Sequence, residues 1–223
     1  MIPWVELDRA DVPDGGGQLR LMQRGTEFSI MAGTTELMNS RLSGSEQALA
    51  VLSFERLRGR KTPAVLIGGL GMGFTLRAAL AASPDARLVV GELLPAVVTW
   101  ARGPLAGVFQ GSLDDPRVEV VVGDVGRLIR SAHAGYDAIL LDVDNGPDGL
   151  SREANDSLYS ARGLREAWTA LRPGGVLAVW SSGPSAEFTK RLDRAGFTVE
   201  ELKVRANGKR GGARHIIWMA TRN

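Results

Sequence analysis

Apolar and polar positions change their pattern at Val65. From there, short continuous apolar runs alternate with longer segments whose apolar residues recur at helical spacing. Continuous apolar runs are typical of strands covered on both faces, and their alternation with helices is typical of a parallel sheet. The runs that predict these strands are "AVLIGG", "RLVVGE", "VEVVVGD", "YDAILLD" and "GGVLAVWS". The pattern therefore predicts a doubly wound α/β fold.

The last two apolar runs, "TVEELKV" and "HIIWMATR", have only a glycine-rich basic loop between them. A crossover between parallel strands needs a longer intervening segment, so we expect these two strands to form an antiparallel hairpin at the sheet edge. The whole pattern then predicts a mostly parallel, seven-stranded Rossmann-like sheet. By fold-level analogy, this ending is typical of S-adenosylmethionine-dependent methyltransferases.

The residues before the α/β pattern predict a small β region. "QLRLMQ" and "EFSIMA" are short alternating segments separated by "RGT", which indicates a hairpin. Ser43 and Glu46 then have capping-box spacing ahead of the helical pattern in "SGSEQALAVLSFERLRGRK". We expect a small N-terminal β region over residues 1–42 and a catalytic domain over residues 43–223.

The stretch "VLIGGLGMGFTLRAAL" puts Gly69, Gly71 and Gly73 at the carboxyl end of the first buried strand. Ligands bind at this end of open α/β sheets, and glycine allows them to approach the backbone closely. The dinucleotide fingerprint is not fully matched, because Phe74 follows Gly73. We interpret the turn as a site for a nucleotide or a nucleoside, with a tight turn that binds no ligand as the alternative.

Carboxylates end three of the predicted strands. Glu92 lies about 20 residues beyond the glycines, where an acid can accept hydrogen bonds from both hydroxyls of a ribose. Asp124 could accept a hydrogen bond from an adenine amine, and Asp142 ends the next strand, with Asp144 just beyond. Each acid alone is more often a solvated loop residue or a helix cap than part of a site. Together with the glycines, they predict a pocket for an adenosine without phosphates, as in S-adenosylmethionine.

Several segments resemble the successive motifs of the spermidine synthase family. They are "VLIGGLGMGFTLRAAL", "VVGELLPAVV", "DPRVEVVVGDVGRLIR", "YDAILLDVDNGP" and "NDSLYSARGLREAWTALRPGGVLAVWS". The N-terminal hairpin and "TELMNSRLSGSE" are similar to the family's small β domain and the segment that follows it. The resemblance implies the methyltransferase fold and transfer of an aminopropyl group from decarboxylated S-adenosylmethionine to an amine.

The resemblance also implies roles for individual residues. Asp142 falls on the family's catalytic aspartate, and we expect Asp144 and Tyr159 to assist it. An amine that attacks carbon next to a sulfonium needs a free lone pair, and a carboxylate can orient the ammonium form and accept its proton. The residues that we expect to bind the donor are Gly69, Leu70, Gly71, Gly73, Glu92, Leu93, Asp124, Val125 and Asp142.

The sequence departs from the family at two places. The glycine turn reads Gly-Gly-Leu-Gly-Met-Gly, without the aspartate that the family associates with the amine end of the donor. The expected acceptor wall, "SGSEQALAVLSFERL", is mostly apolar, and a diamine would leave a charge poorly paired against it. Two alternatives therefore stay open: methyl transfer from intact S-adenosylmethionine to a small molecule, and a non-catalytic homologue that binds an adenosine compound.

Composition excludes some other chemistries. The 223 residues include no cysteine, which excludes disulfides, a thiolate nucleophile and cysteine-ligated zinc. The only two histidines, His133 and His215, make a catalytic triad or a histidine metal site a poor hypothesis, so we expect no metal. The N-terminal residues do not resemble a secretory signal and no apolar run reaches membrane-spanning length, so we expect a cytoplasmic protein without membrane contact.

Two features bear on partners. The basic segment "KVRANGKRGGARH" has no aromatic residues between its charges, so it is more typical of a solvated hairpin tip than of a nucleic-acid surface. Met22, Met31 and Met38 make the N-terminal hairpin partly apolar. Because a small β region often buries such a face against a second subunit, we expect a homodimer that acts on a small-molecule amine or another nucleophile.

Overall fold

The computed structural model describes residues 2–13, 16–143, 147, 157–208 and 211–223. A four-stranded antiparallel sheet comes first, in the order β1-β2-β3-β4. Its strands are β1 (Val5–Asp11), β2 (Gln18–Arg24), β3 (Glu27–Ala32) and β4 (Thr35–Asn39). The predicted hairpin is β2 and β3, in which Leu21 lies opposite Ile30. The pattern did not reveal β1, because most of its side chains are exposed and it has little apolar alternation.

The α/β part follows in an alternating order. Its helices are α1 (Gly44–Arg56), α2 (Phe74–Ala82), α3 (Pro95–Arg102), α4 (Ala106–Phe109), α5 (Val125–Ser131), α6 (Ala161–Ala170) and α7 (Ala186–Arg194), with a 3-10 helix at Ser112–Asp114. Its strands are β5 (Ala64–Gly68), β6 (Arg87–Glu92), β7 (Val118–Val122), β8 (Tyr136–Leu141), β9 (Leu171–Ser181), β10 (Phe197–Arg205) and β11 (Arg214–Arg222).

These strands form one seven-stranded sheet in the order β10-β11-β9-β8-β5-β6-β7. The pairs from β9 to β7 are parallel, while β11 runs antiparallel to both β9 and β10. This confirms the predicted mostly parallel sheet with a C-terminal antiparallel hairpin. The chain order reverses between β5 and β8, and ligands bind outside the carboxyl ends of strands at such a switch point.

The two faces of the sheet are covered by two apolar clusters. Along β8, Ala138 and Leu140 belong to the first cluster, with α1, α2 and α3, whereas Ile139 and Leu141 belong to the second, with α5, α6 and α7. Alternate side chains of a strand point to opposite faces, so a strand covered on both sides needs apolar residues at every position. This explains the continuous apolar runs in the sequence.

The small sheet packs into the first of these clusters. Leu21 of β2 and Ile30 of β3 are fully buried there, together with Leu49 of α1. The indole Nε1 of Trp100 also donates a hydrogen bond to Asp8 of β1 across 2.7 Å. The small sheet is therefore attached to the α/β part through a shared core, and the division of the chain at residue 42 stays a prediction.

The start of α1 differs from the predicted capping box. Ser43 occupies the N-cap position, but its side chain makes no capping hydrogen bond to the backbone and instead accepts one from Gln47 Nε2 at 3.0 Å. The Glu46 carboxylate accepts a hydrogen bond from its neighbour Ser45. The capping-box prediction is wrong because Glu46 is held by that hydroxyl and faces a cavity.

Candidate active site

The glycine turn after β5 has a backbone that requires glycine. The φ angles of Gly69, Gly71 and Gly73 are +90°, +50° and +75°, values that other residues rarely adopt. A Cβ on Gly69 would collide with the carbonyl oxygen of Asp142, and one on Gly73 would collide with the ring of Phe109. Close packing thus requires these two glycines whether or not a ligand binds.

Glu92 joins the end of β6 to this turn. Its Oε2 accepts a hydrogen bond from the backbone N–H of Leu70 and its Oε1 accepts one from that of Leu94, both at 2.9 Å. Burial raises the pKa of this carboxyl, which is only 8% exposed, although the backbone N–H groups oppose the change. The backbone N–H groups of Gly71 and Leu93 also act on this carboxylate. Glu92 is thus an acceptor-only group at the sheet edge, the type of group that ribose hydroxyls need.

Asp124 forms the N-cap of α5. Its Oδ1 accepts the backbone N–H of Gly126 at 2.8 Å, and its Oδ2 lies 3.3 Å from the guanidinium of Arg130. The residue is therefore a helix cap, as the simpler interpretation of the sequence had it. It also borders the cavity described next, so the two interpretations are compatible.

A first cavity of about 160 Å³ lies outside the ends of β5, β6 and β8. The residues that line it are Leu19, Ile30, Leu37, Met38, Gly69, Gly71, Gly91, Glu92, Leu93, Leu94, Val97, Gly123, Asp124, Val125, Asp142 and Val143. It brings together seven of the nine residues predicted to bind the donor. The small sheet contributes its apolar wall.

A second cavity of about 90 Å³ adjoins the first and contains the other two predicted residues, Leu70 and Gly73. Its lining is Leu37, Met38, Asn39, Glu46, Leu70, Gly71, Met72, Gly73, Phe74, Asp142 and Trp180. Asp142 and Gly71 border both cavities. A molecule in the first cavity can therefore extend past Asp142 into the second.

Asp142 follows β8 directly and is mostly buried at this junction. Its Oδ2 accepts a hydrogen bond of 2.6 Å from the hydroxyl of Thr75, in the first turn of α2. The pKa of Asp142 is raised to about 7, first by burial away from water and then by the negative charge of Glu46, while the bond from Thr75 lowers it. A carboxyl group with this pKa exchanges protons readily at neutral pH.

Glu46 is an acidic residue of the site that the sequence analysis did not assign to it. Its spacing from Ser43 suggested a cap, and its segment was expected to form an apolar acceptor wall. The structure corrects this expectation, because the segment supplies a carboxylate to the second cavity. Burial raises the pKa of Glu46 as well. In the sequence, the one feature that could have indicated Glu46 as a site residue was its position in a predicted helix whose other face is apolar.

One of the two residues expected to assist Asp142, Tyr159, does not line these cavities. Tyr159 is 1% exposed in the second apolar cluster, where its ring packs edge-on against Phe188 at a centroid distance of 5.6 Å. Asp144 lies outside the described residues. The catalytic roles of both remain predictions.

Two further findings concern the described residues alone. Within them, no three or more His, Asp or Glu side chains cluster in a way that could hold a metal ion. Over the same ranges, no helix is both long and apolar enough to cross a bilayer.

Solved structures with the same fold have known identities. A spermidine synthase from Thermotoga maritima superimposes with a TM-score of 0.78 at 17% identity, over 98% of this chain and 73% of its own. A spermidine synthase bound to the transition-state analogue AdoDATO gives a TM-score of 0.77, also at 17% identity, over 98% of this chain and 72% of its own. These matches define the class of protein, one with the methyltransferase-like fold that spermidine synthases share.

Sequence comparison narrows the class to a family. Residues 59–191 match the spermine/spermidine synthase domain. The polyamine aminopropyltransferase of Mycobacterium tuberculosis is 39% identical over 125 residues, which is 54% of this chain and 23% of the relative. Polyamine aminopropyltransferase 1 of Streptomyces coelicolor is 34% identical over 148 residues, 63% of this chain and 27% of the relative. The chain belongs to the spermine/spermidine synthase family, and it matches about a quarter of the length of these relatives.

Proposed function

We propose that this protein transfers the aminopropyl group of decarboxylated S-adenosylmethionine to a small amine and releases methylthioadenosine. The observation that carries the proposal is the position of Asp142, a carboxyl group with a pKa of about 7, where the cavity bordered by Glu92 and Asp124 meets a second cavity with acidic groups. The names of the curated relatives, polyamine aminopropyltransferases, support the same reaction.

In this reaction the amine nitrogen attacks the carbon attached to the sulfonium. A new C–N bond forms, the C–S bond breaks, and its electron pair neutralises the sulfur. Asp142 accepts the proton that the ammonium form of the acceptor must lose, because it borders both the donor's cavity and the acceptor's cavity. The raised pKa of Asp142 makes it a stronger base than an ordinary carboxylate.

The first cavity suits the adenosine part of the donor. In the proposal, Glu92 accepts the ribose hydroxyls, Asp124 accepts the adenine amine, and the residues next to them, Leu93 and Val125, line the nucleoside. The positions of all four around one cavity support this assignment. The glycine turn allows the sulfonium to approach the end of β5.

The charge of the second cavity favours the decarboxylated donor. Among its described lining residues, two are carboxylic acids, Glu46 and Asp142, and none is a lysine, arginine or histidine. These two acids would repel the carboxylate of intact S-adenosylmethionine, whereas the decarboxylated donor carries no carboxylate. This argues against the methyltransferase alternative.

The test is an incubation of the purified protein with each donor and a panel of aliphatic mono- and diamines. Mass spectrometry would follow methylthioadenosine and the aminopropylated amine, and separately S-adenosylhomocysteine. We expect methylthioadenosine from the decarboxylated donor only when an amine is present. Formation of S-adenosylhomocysteine from the intact donor, without aminopropyl transfer, would replace this proposal with methyl transfer.

The proposal also includes a homodimer in the cytoplasm. Exposed apolar side chains on β1 of the small sheet, Val5 and Leu7, support a subunit contact there. Light scattering at micromolar concentration measures the mass directly. A value near 24 kDa, the mass of one chain, would exclude the dimer.

A further inference from the structure

Glu46 enters the second cavity from α1, on a different element from Asp142. The two residues are 96 positions apart in sequence, yet both line the cavity and the charge of Glu46 acts on Asp142. The Thr75 hydroxyl connects their surroundings, since it donates to Asp142 and lies 3.3 Å from the backbone oxygen of Glu46. The cavity is therefore acidic from two sides.

A chain of hydrogen bonds fixes the Glu46 carboxylate. The hydroxyl of Ser45, which is fully buried, donates to Glu46 Oε2 at 2.7 Å and lies 2.9 Å from Nδ1 of His215. Because the hydroxyl has one hydrogen and gives it to Glu46, Nδ1 of His215 must be the donor to Ser45. The His215 ring also packs edge-on against Trp180, a lining residue of the cavity, at 4.8 Å between centroids.

We propose that Glu46 is a second substrate-binding carboxylate, which binds the ammonium group of the acceptor amine together with Asp142, and that Ser45 and His215 are positioning residues that hold it in the cavity. The identification of the ammonium as the acceptor's rests on the proposed aminopropyl transfer.

The chemistry gives the two acids different tasks. An ammonium group has three N–H donors, of which one bonds Asp142 and one bonds Glu46. When Asp142 takes its proton, the N–H bond breaks and the neutral amine stays attached to Glu46 by its second N–H. The amine can then turn its new lone pair toward the donor's carbon without leaving the site. Glu46 thus binds and orients the acceptor amine, and Asp142 accepts its proton.

Other described ionisable groups around the two cavities lie on β6, at the start of α5 and on β11. Glu92 of β6 and Asp124 at the start of α5 line the first cavity, and His215 of β11 stands behind Ser45. Among the described lining residues of both cavities there is no lysine or arginine that could neutralise Glu46. The carboxylates of Glu46 and Asp142 therefore have no cationic partner among these residues, and an ammonium ligand would supply one.

The kinetic test compares Glu46→Gln with Glu55→Gln, a matched control on an exposed face of the same helix, outside the described lining of both cavities. We expect Glu46→Gln to raise the KM for the amine about tenfold or more, the loss of one charge-assisted bond, with the donor's KM within twofold. The acidic limb of the pH profile should also move to lower pH, because Asp142 loses a neighbouring negative charge. Unchanged amine KM and pH profile would overturn the proposal.

A binding test separates this inference from the proposed reaction. Calorimetry would measure the affinity of n-butylamine, with n-butanol as its uncharged analogue, for protein saturated with methylthioadenosine. We expect n-butylamine to bind the parent protein and Glu55→Gln alike, and Glu46→Gln about tenfold more weakly or not at all. Ser45→Ala should show a smaller loss, and this variant gives an answer if Glu46→Gln does not fold.

These experiments distinguish failure of the proposed reaction from failure of the proposed role of Glu46. Amine binding that depends on Glu46, in a protein that transfers no aminopropyl group, would reject the proposed reaction and keep the carboxylate pair. Aminopropyl transfer with amine affinity that is equal in Glu46→Gln and the control would keep the reaction and reject the role of Glu46. Equal binding of n-butylamine and n-butanol would also reject it, because a charge-independent site needs no carboxylate.

Discussion

The hydroxyl of Thr75 donates a hydrogen bond of 2.6 Å to Oδ2 of Asp142 and so connects the first turn of α2 to the end of β8. The bond lowers the pKa of Asp142, against burial and the charge of Glu46, which raise it. The net value of about 7 results from these opposing effects. The geometry of two elements, rather than the aspartate alone, sets the basicity of the proposed catalytic group.

Removing this hydrogen bond should shift the pH dependence of the reaction. Thr75→Val eliminates the donor at nearly constant volume, so the pKa of Asp142 should rise. Activity that requires the carboxylate increases with pH through about 7 in the parent protein, and we expect its midpoint to move to higher pH in the variant. Rates measured from pH 5 to 9 test this. Thr75→Ser keeps the hydroxyl and should keep the parent profile; an identical profile for Thr75→Val would contradict the assignment.

Replacing Asp142 by asparagine should separate catalysis from donor binding. Loss of a general base reduces rates by roughly 10²–10⁴-fold, and we expect a kcat decrease of this order for Asp142→Asn. Donor affinity, measured by calorimetry with methylthioadenosine, should stay within a few fold because Glu92 and Asp124 are intact. Turnover near the parent rate in Asp142→Asn would exclude Asp142 as the base.

The same substitution should change stability in a pH-dependent manner. The pKa of Asp142 is about 7 in the folded protein and near 3.8 in an ordinary environment, so between these pH values the folded state binds more protons than the unfolded state. Stability of the parent protein therefore falls as pH rises through this window, and Asp142→Asn abolishes the loss. The difference in the free energy of unfolding, variant minus parent, should be roughly 1–3 kcal/mol larger at pH 8 than at pH 5. Thermal unfolding at both pH values measures it, and an equal difference at the two would contradict the raised pKa.

Glu92 should contribute both to the stability of the glycine turn and to binding of the donor. In Glu92→Gln, the amide nitrogen faces the N–H of either Leu70 or Leu94, so one backbone donor loses its acceptor. We expect a loss of about 1–3 kcal/mol in the free energy of unfolding and at least tenfold weaker binding of methylthioadenosine. Glu119→Gln, on the exposed side of β7, is the matched control and should change neither quantity. Unimpaired binding in Glu92→Gln would place the ribose elsewhere.

Two glycines provide a comparison between a required and a free position. A Cβ at Gly69, where φ is +90°, would collide with the Asp142 carbonyl, whereas one at Gly107 in α4 meets nothing within 4 Å. Gly69→Ala should lose at least about 2 kcal/mol of stability and displace Asp142. Gly107→Ala should be neutral or gain up to about 1 kcal/mol, because alanine favours helices. Urea unfolding compares the two, and similar values would show that the turn can relax.

Several elements of this protein could be predicted from local patterns. Strands such as β5 and β8 are buried on both faces, so their sequences are apolar at every position and easily recognised. The acids at strand ends were found for the same reason, since each comes directly after such a run. The glycine turn was found because a positive φ and close packing admit almost no other residue. By contrast, β1 was missed because its exposed side chains show no periodicity.

The sequence by itself thus determined the fold class, the family and seven of the residues that line the first cavity, because each is encoded in contiguous stretches of the chain. Only the tertiary structure decided which acids face one another. Glu46 looked like a helix cap, and became part of a charged pair with Asp142 when α1 packed beside α2 and the end of β8. Burial and electrostatic coupling depend on distances between segments far apart in the chain, and local patterns do not contain those distances.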